Sequence, residues 1–415
     1  MRWYLRFVLE AATSLRAAAR VLEVLRGWLP GVEHSPAANT GQWWLLRLGL
    51  YELTRPKEVA EDWVWLVDHT IQLGQVKCLL MVAVRLSAWE SQGRGPLGHR
   101  DLAVLTLEPM RQSTGPLVEA HLERAISQTG VPRAILSDGG KDLKNAVASF
   151  QQQHPKVADL SDIKHKMATL VKAELKADAR WSSFVPAVGR TKSQLQQTDL
   201  ACLMPPSPKE KARYMNLGEL VHWARRVLAH LDTPPESRPL AVTPDRLEAK
   251  LGWLREYREA LGQWGGMLAV VDETLEVIRQ DGYCSEAASG LCNRLTCLTQ
   301  DEMSRRVAER AVAFVAQQSS AAVGQEHLLG STECLESLIG KGKRLEGQQS
   351  RSGFTKMVLA MAASVAEPKA EYVRTALEQV KTHHVTAWCK DKLGISVQAQ
   401  RQHALPMLAN GTKMG

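Results

Sequence analysis

Apolar runs of strand length, separated by polar turns, dominate the chain between residues 60 and 175. Short apolar runs bounded by turn residues are typical of buried strands, whereas apolar residues that recur every three or four positions are typical of helices. The segment therefore predicts, in order, three strands, a helix, a strand, a helix and a last strand, at 63–68, 77–86, 103–107, 116–128, 134–136, 142–150 and 157–160. This order predicts an α/β protein with an RNase H-like fold, a mixed sheet covered by flanking helices.

Helical periodicity dominates the chain after this segment. Apolar positions recur at helical spacing from about 165 to 330, for example over 216–231, and we expect the long pattern at 245–281 to break at Gly265-Gly266. A capped helix is expected after Ser331, and two more at about 354–366 and 368–390. The pattern predicts a large all-α insertion between the last strand and the helix after Ser331.

The first 55 residues also have helical spacing, with a polar cap at Ser14, a break at Pro30-Gly31 and a second helix over 39–53. Short helices joined by a turn are compatible with a helix-turn-helix, in which the start of the later helix reads DNA. The alternative is a plain helical cap on the next domain. In the DNA-reading alternative the candidate residues are Asn39, Thr40, Gln42 and Arg47.

These patterns divide the chain into five segments. The predicted boundaries are 1–55 for the N-terminal helical region, 60–175 for the first part of the RNase H-like core, 176–325 for the all-helical insertion, 326–392 for the last part of the core, and 393–415 for a mobile tail.

Composition narrows the class of protein. The chain has 415 residues, 45% hydrophobic and 23% charged, which is typical of a globular protein of two or three domains. Its net charge of +8 favours a polyanionic partner. The seven cysteines include no Cys-x-x-Cys pair, so a zinc site or disulfide framework is not expected and a reducing cytoplasm fits best. We find no signal peptide and no apolar stretch long enough for a membrane span.

Three carboxylates occupy positions at the ends or starts of predicted elements. Asp68 ends the first predicted strand, Asp138 follows Ile135-Leu136-Ser137 in a Gly-Gly turn, and Glu336 lies in the helix after Ser331. Converging carboxylates can hold a pair of divalent metal ions for phosphodiester chemistry. Magnesium, with manganese as a substitute, is the expected metal because it prefers oxygen ligands. Taken singly, either aspartate is equally explained as a turn residue.

Two glutamates compete for the role of third acid. Glu333 lies in the first turn after Ser331, where the helix dipole alone accounts for an acid. Glu336 is expected one turn further in, so we prefer it. Lys343 lies two turns along the same face from Glu336 and is a candidate phosphate contact, unless Gly340 and Gly342 end the helix first.

The acids and their surroundings resemble the DDE triad of insertion-sequence transposases. The resemblance rests on Asp68 after Trp-Val-Trp-Leu-Val, Asp138 in Ile-Leu-Ser-Asp-Gly-Gly, and Glu336 in Glu-Ser-Leu-Ile-Gly-Lys-x-Lys. Asp162-Ile163-Lys164-His165 is similar to the Asp-x-x-His signature of many such enzymes, and the spacing from Glu336 to Lys343 is similar to that of the IS4-like group. Leu329 and Thr332 stand where that group has tyrosine and arginine, so the resemblance is to DDE enzymes in the broader sense.

The resemblance implies an enzyme that cuts DNA at the ends of a mobile element and joins them to target DNA. We expect double-stranded DNA as partner, a homodimer on that DNA, no membrane, and a cytoplasmic, nucleoid-associated location of prokaryotic type. Lys164 and His165 are candidate DNA contacts, and Trp181 or Trp223 in the insertion is a candidate for stacking on a base, with core packing as the alternative for Trp223. The rival functions are an RNase H-like nuclease without strand transfer and a catalytically inactive DNA-binding protein derived from a transposase.

Overall fold

The structure is a computed structural model, and tertiary contacts divide the chain into two compact units. The first unit combines residues 1–160 with the chain from 332 onward, and the second contains residues 161–331. The predicted insertion at 176–325 lies within the second unit. The structure describes residues 1–28, 34–73, 76–208, 214, 216–237, 243–347 and 355–394, so the predicted Pro30-Gly31 break and nearly all of the predicted tail lie outside the described residues.

A five-stranded mixed sheet forms the centre of the first unit. Its strands are β1 (Trp63–Leu73), β2 (Val76–Arg85), β3 (Ala103–Met110), β4 (Ala134–Ser137) and β5 (Ala158–Ser161). The strand order is β3-β2-β1-β4-β5, in which β1 and β2 are antiparallel, β2 and β3 are antiparallel, and β1 and β4 are parallel. This order, with helices between the later strands, is that of an RNase H-like fold and confirms the predicted fold class.

Alternation along β1 separates the two faces of the sheet. Trp63, Trp65 and Val67 belong to a buried cluster that also contains apolar residues of two helices. The helices of this part of the chain are α1 (Arg2–Leu9), α2 (Leu15–Val24), α3 (Ala38–Thr54), α4 (Leu86–Ser91), α5 (Gly115–Thr129) and α6 (Lys141–Gln153). The cluster draws its helical members from α5 and α6, so these two helices cover the face to which the odd-numbered residues of β1 point.

The second unit is helical, as predicted. Its helices are α7 (Ile163–Ala177), α8 (Ala179–Leu195), α9 (Leu217–Asp232), α10 (Pro244–Leu251), α11 (Arg258–Asp281), α12 (Ala287–Leu295) and α13 (Glu302–Ser319). The predicted break at Gly265-Gly266 is wrong, because α11 runs through both glycines and the pattern is interrupted earlier, by a 3₁₀ turn at Gly252–Tyr257. Trp264 and Met267, which flank the glycines, are fully buried. Their burial offsets the low helix propensity of glycine.

The C-terminal part of the first unit contains α14 (Glu333–Glu346), α15 (Leu359–Ala363), α16 (Ala370–Gln379) and α17 (Thr382–Lys392). The single helix predicted over 368–390 is two helices, since Val380 and Lys381 both have extended backbone angles. Gly340 and Gly342 do not end α14, which continues to Glu346. Among the described residues, no helix is both long enough and apolar enough to cross a membrane.

Candidate active site

The register of the two central parallel strands brings Asp68 and Asp138 to neighbouring positions. Val67 on β1 is the Cα partner of Ser137 on β4. Asp68 is the next residue of β1, and Asp138 directly follows the last residue of β4. Neighbouring strands lie about 4.8 Å apart. Asp68 does not end the first strand, as the sequence suggested, because β1 continues to Leu73, whereas Asp138 directly follows β4. The two acidic residues nevertheless lie side by side at the middle of the sheet.

Helix α14, which carries Glu336, contacts β1, the strand of Asp68. The carboxylate of Glu346 in α14 acts on the Cys78 thiol, and Cys78 points to the face opposite its neighbour Leu79, a member of the cluster formed with α5 and α6. Helix α14 therefore lies on the opposite face of the sheet. Since side chains alternate along a strand, Asp68 points to the face opposite Trp65 and Val67. Asp68 and the helix that carries Glu336 thus share one face of the sheet.

The turn after β4 has the features of a local aspartate turn. Asp138 Oδ1 accepts a hydrogen bond from the Gly140 backbone N–H at 2.9 Å. Gly139 has φ +81°, a left-handed conformation that favours glycine. A β-carbon at Gly139 would also lie 2.9 Å from Lys144 Cε. The turn therefore holds Asp138 at the end of β4. A role as a turn residue does not conflict with its proposed role as a metal ligand.

Helix α14 begins later than the sequence suggested, which changes the comparison of its two glutamates. Glu333 is the first residue of the helix, and the Glu336 N–H donates to the Thr332 carbonyl at 3.0 Å. Both glutamates consequently lie in the first turn, where a negative charge suits the helix dipole. Position along the helix no longer distinguishes them, and the preference for Glu336 stays a prediction.

A polar cluster on the other face of the sheet was missed by sequence reasoning. His69 Nε2 lies 2.8 Å from Ser113 Oγ and 3.6 Å from Asp142 Oδ2. Burial lowers the pKa of His69, while the negative charges of Asp142 and Asp138 act in the opposite direction. The cluster therefore connects the second half of β1 to the start of α6, next to the Asp138 turn. Only the strand order, which no local pattern reveals, brings these three residues together.

Metal ligation was tested on the donor groups present. Carboxylate oxygens such as those of Asp68 and Asp138, on adjacent strands, are the donors that Mg²⁺ prefers. However, no group of three or more His, Cys, Asp or Glu side chains within the described residues lies close enough together to hold an ion. Binding of one metal centre by Asp68, Asp138 and Glu336 would therefore require their side chains to move together, and this site remains a prediction.

The Asp-x-x-His segment has a local structural role in the second unit. Asp162 is the N-cap of α7, and its Oδ1 accepts a hydrogen bond from the His165 backbone N–H at 2.6 Å. This capping accounts for an aspartate three residues before the histidine. The His165 side chain is exposed and that of Lys164 is half-buried. Their predicted contact with DNA is not tested by this geometry.

The aromatic candidates for base stacking are enclosed by protein. Trp181 is 8% exposed and packs against Trp264, with ring centroids 5.2 Å apart. Trp223 is 4% exposed, and its indole N–H donates to the Leu203 carbonyl at 2.8 Å. In this conformation both rings pack inside the second unit, which favours the core-packing alternative stated for Trp223 and indicates core packing for Trp181 as well.

The DNA-reading candidates of the N-terminal region lie on α3, which packs against α15, α16 and β3 within the first unit. Asn39 and Thr40 are exposed, whereas Gln42 is half-buried and its amide lies 3.2 Å from Met357 Sδ. Arg47 donates to the backbone carbonyls of Leu377 and Val380, the latter at 2.6 Å. In this conformation the Arg47 guanidinium satisfies carbonyls at the C-terminal end of α16.

Replacing Arg47 by methionine is expected to lower the free energy of unfolding by about 2 kcal/mol. The change removes a charged donor from carbonyls at a helix C-terminus. Equilibrium urea unfolding measures the effect, and Arg20→Met, at an exposed position of α2, is the matched control with a change under about 0.5 kcal/mol. If Arg47→Met left stability unchanged but abolished DNA binding, the result would support the alternative in which Arg47 contacts DNA.

Comparisons with known proteins add a likeness in structure but none in sequence. No family model and no curated protein sequence matches the chain. Among solved structures, the chain is similar to one described as the Drosophila P element transposase strand transfer complex. The identity is 9% and the TM-score 0.40, and the match covers 90% of this chain and 97% of that chain. The RNase H-like assignment of this chain rests on its own strand order and register.

Proposed function

We propose that this protein is a DDE-type DNA transposase, which cleaves DNA at the ends of a mobile element and joins them to target DNA. The observation that supports the proposal is the placement of the two aspartates and of the helix that carries the glutamate. Asp68 within β1 and Asp138 directly after β4 occupy neighbouring positions, and the helix with Glu336 packs on the face to which Asp68 points. An RNase H-like sheet with these acids has the residue types for phosphodiester chemistry.

Each residue has a proposed role in that reaction. Asp68, Asp138 and Glu336 would hold Mg²⁺, or Mn²⁺ as a substitute, which would activate the attacking oxygen and stabilise the leaving oxygen. The Asp138 turn fixes one carboxylate through the Gly140 hydrogen bond, so little reorganisation is needed there. Asp68 sits within the paired strand opposite Leu80, which fixes its backbone. A homodimer on the DNA is part of the proposal.

The proposal predicts metal-dependent nicking followed by joining. The full chain is incubated with a labelled duplex carrying the terminal sequence of the element and with a supercoiled target, in Mg²⁺, Mn²⁺ or EDTA. We expect nicked and joined products with either metal and none in EDTA. Asp138→Asn is expected to lose products by about 10³-fold, since a charged metal ligand supplies several kcal/mol of transition-state stabilisation.

The same assay separates the rival functions. A nuclease of this fold would give nicked DNA with metal but no joined product. A catalytically inactive DNA-binding protein would shift the DNA in a gel and give neither product. Products that persist in Asp138→Asn at the wild-type rate would contradict the proposed site.

A further inference from the structure

Basic side chains from two segments of the first unit meet on one side of α14. His99 and Arg100 come from the 3₁₀ turn before β3, and Lys341 and Arg344 come from α14. His99 Nε2 lies 3.0 Å from Ser337 Oγ, one helical turn before Lys341, which fixes the 3₁₀ turn against the helix. We call His99, Arg100, Lys341 and Arg344 the α14 basic patch.

Positive charge in the α14 basic patch is crowded. Lys341 is half-buried, and burial lowers its pKa, with Arg344 and Arg100 lowering it further and Glu10 acting against them. Burial likewise lowers the pKa of His99, followed by the charges of Lys341 and Arg344. Burial is the main cause of both shifts, and the neighbouring cations add a repulsion that a bound anion would relieve.

The neighbouring carboxylates pair with Arg100 and not with the two cations of α14. Glu10 is shared by Arg100, at 2.8 Å, and Arg6, at 2.7 Å. Glu367 pairs with Lys369 at 2.8 Å and lies 3.9 Å from Arg100. Lys341 and Arg344 form no ion pair with any residue that the structure describes. Two cations on one helix are thus left for an external anion.

The position of the α14 basic patch indicates which anion fits. Lys341 follows Glu336 by five residues, which is about 7.5 Å along the helix axis. Ser337, Lys341 and Arg344 are spaced by four and three residues and form one row along the helix. A row of positive charge beside the acidic helix start matches a backbone with regularly spaced phosphates, since duplex DNA carries one charge per about 1.7 Å.

We infer that the α14 basic patch binds the phosphate backbone of double-stranded DNA next to the phosphate that reacts at Asp68, Asp138 and Glu336. The inference rests on the proposed function for the location of that reacting phosphate. It assigns DNA contact to a face of α14 beside the one that carries Glu336 and Lys343. Lys341 and Arg344 are therefore expected to contribute more to affinity than Lys343.

Fluorescence anisotropy of the full chain with a labelled duplex of about 30 base pairs tests the inference. Binding is measured over a series of salt concentrations in EDTA, so that no cleavage occurs. In Lys341→Met/Arg344→Met, which keeps most of each apolar stem, we expect the slope of log K against log salt to fall by about two, because each lost phosphate contact removes about 0.9. Affinity at about 150 mM salt should fall at least tenfold.

Three variants serve as controls. Lys381→Met/Lys390→Met removes two charges from exposed positions, one just before α17 and one within it, and should change the slope by less than about 0.5. Lys343→Met should change it by less than half as much as the patch variant does. Lys341→Arg/Arg344→Lys preserves charge and should retain the wild-type slope. Circular dichroism and the urea midpoint establish that each variant is folded.

Several outcomes would overturn the inference. They are a wild-type slope in the patch variant, an equal loss in the α17 variant, or tighter binding of duplex RNA with the same dependence on Lys341 and Arg344. Failure of the proposed function is distinguishable, because it would appear as patch-dependent DNA binding without any cleavage in Mg²⁺. If the patch variant bound DNA as tightly as the wild type and still cleaved it, the role of the patch would be rejected and the proposed function would stand.

Discussion

Replacing Glu336 by glutamine should lower DNA cleavage by about 10³-fold, whereas replacing Glu333 by glutamine should leave it within about twofold of the wild type. Glutamine keeps the size of the side chain but removes the charge that would bind metal, which is worth several kcal/mol at the transition state. At Glu333 the only expected loss is a favourable first-turn charge, about 0.5 kcal/mol of stability. Single-turnover cleavage of a labelled element end measures both variants.

The two variants are closely matched, since both glutamates lie in the first turn of α14 and any effect on the helix dipole is shared. Urea unfolding of both proteins separates stability from activity. A normal rate in Glu336→Gln with a large loss in Glu333→Gln would exchange their roles. Normal rates in both variants would remove α14 from the active site.

Gly342→Ala should destabilise the protein by about 2 kcal/mol, and Gly340→Ala should stabilise it by about 0.5 to 1 kcal/mol. A β-carbon at Gly342 would overlap the side chain of Met361, which is 1% exposed, so α14 and α15 would have to move apart. At Gly340 no atom lies within 4 Å of a β-carbon, and alanine gains only its higher helix propensity. Equilibrium urea unfolding of the two variants gives both changes.

This pair of glycines also bears on the candidate site, because α14 carries Glu336. A displaced α14 should reduce cleavage in Gly342→Ala, while Gly340→Ala should remain as active as the wild type. Equal stability of the two variants would mean that Met361 rearranges without cost. In that case the close approach of α14 and α15 would not be what requires a glycine at position 342.

Local sequence patterns were sufficient for the strands of the sheet. Four of the five strands contain a compact apolar run, such as Val64 to Val67, that is buried on both faces. In β5 only Leu160 is buried. The Gly139-Gly140 turn likewise follows from a local requirement, because Asp138 bonds to the Gly140 amide two residues on. The conformation of such elements is determined by their own residues, so the number of strands and their order along the chain were predictable.

Tertiary packing determined what the sequence did not reveal. The continuity of α11 depends on the burial of Trp264 and Met267, which outweighs the helix-breaking tendency of Gly265-Gly266. The contact of Arg47 with α16 joins residues more than 300 positions apart, and no local pattern distinguishes such an arginine from one that faces DNA. The proximity of His69 to Asp142 likewise appears only once β1 and β4 are paired.

A crystal structure of the protein with Mn²⁺ and an element-end duplex tests the central claim most directly. The account predicts anomalous scattering from manganese about 2 Å from carboxylate oxygens of Asp68, Asp138 and Glu336, with two ions about 4 Å apart. It also predicts that α14 keeps its place on β1 while these side chains converge. Manganese bound only at other residues, or these three carboxylates on separate ions, would contradict the assignment of a common active site.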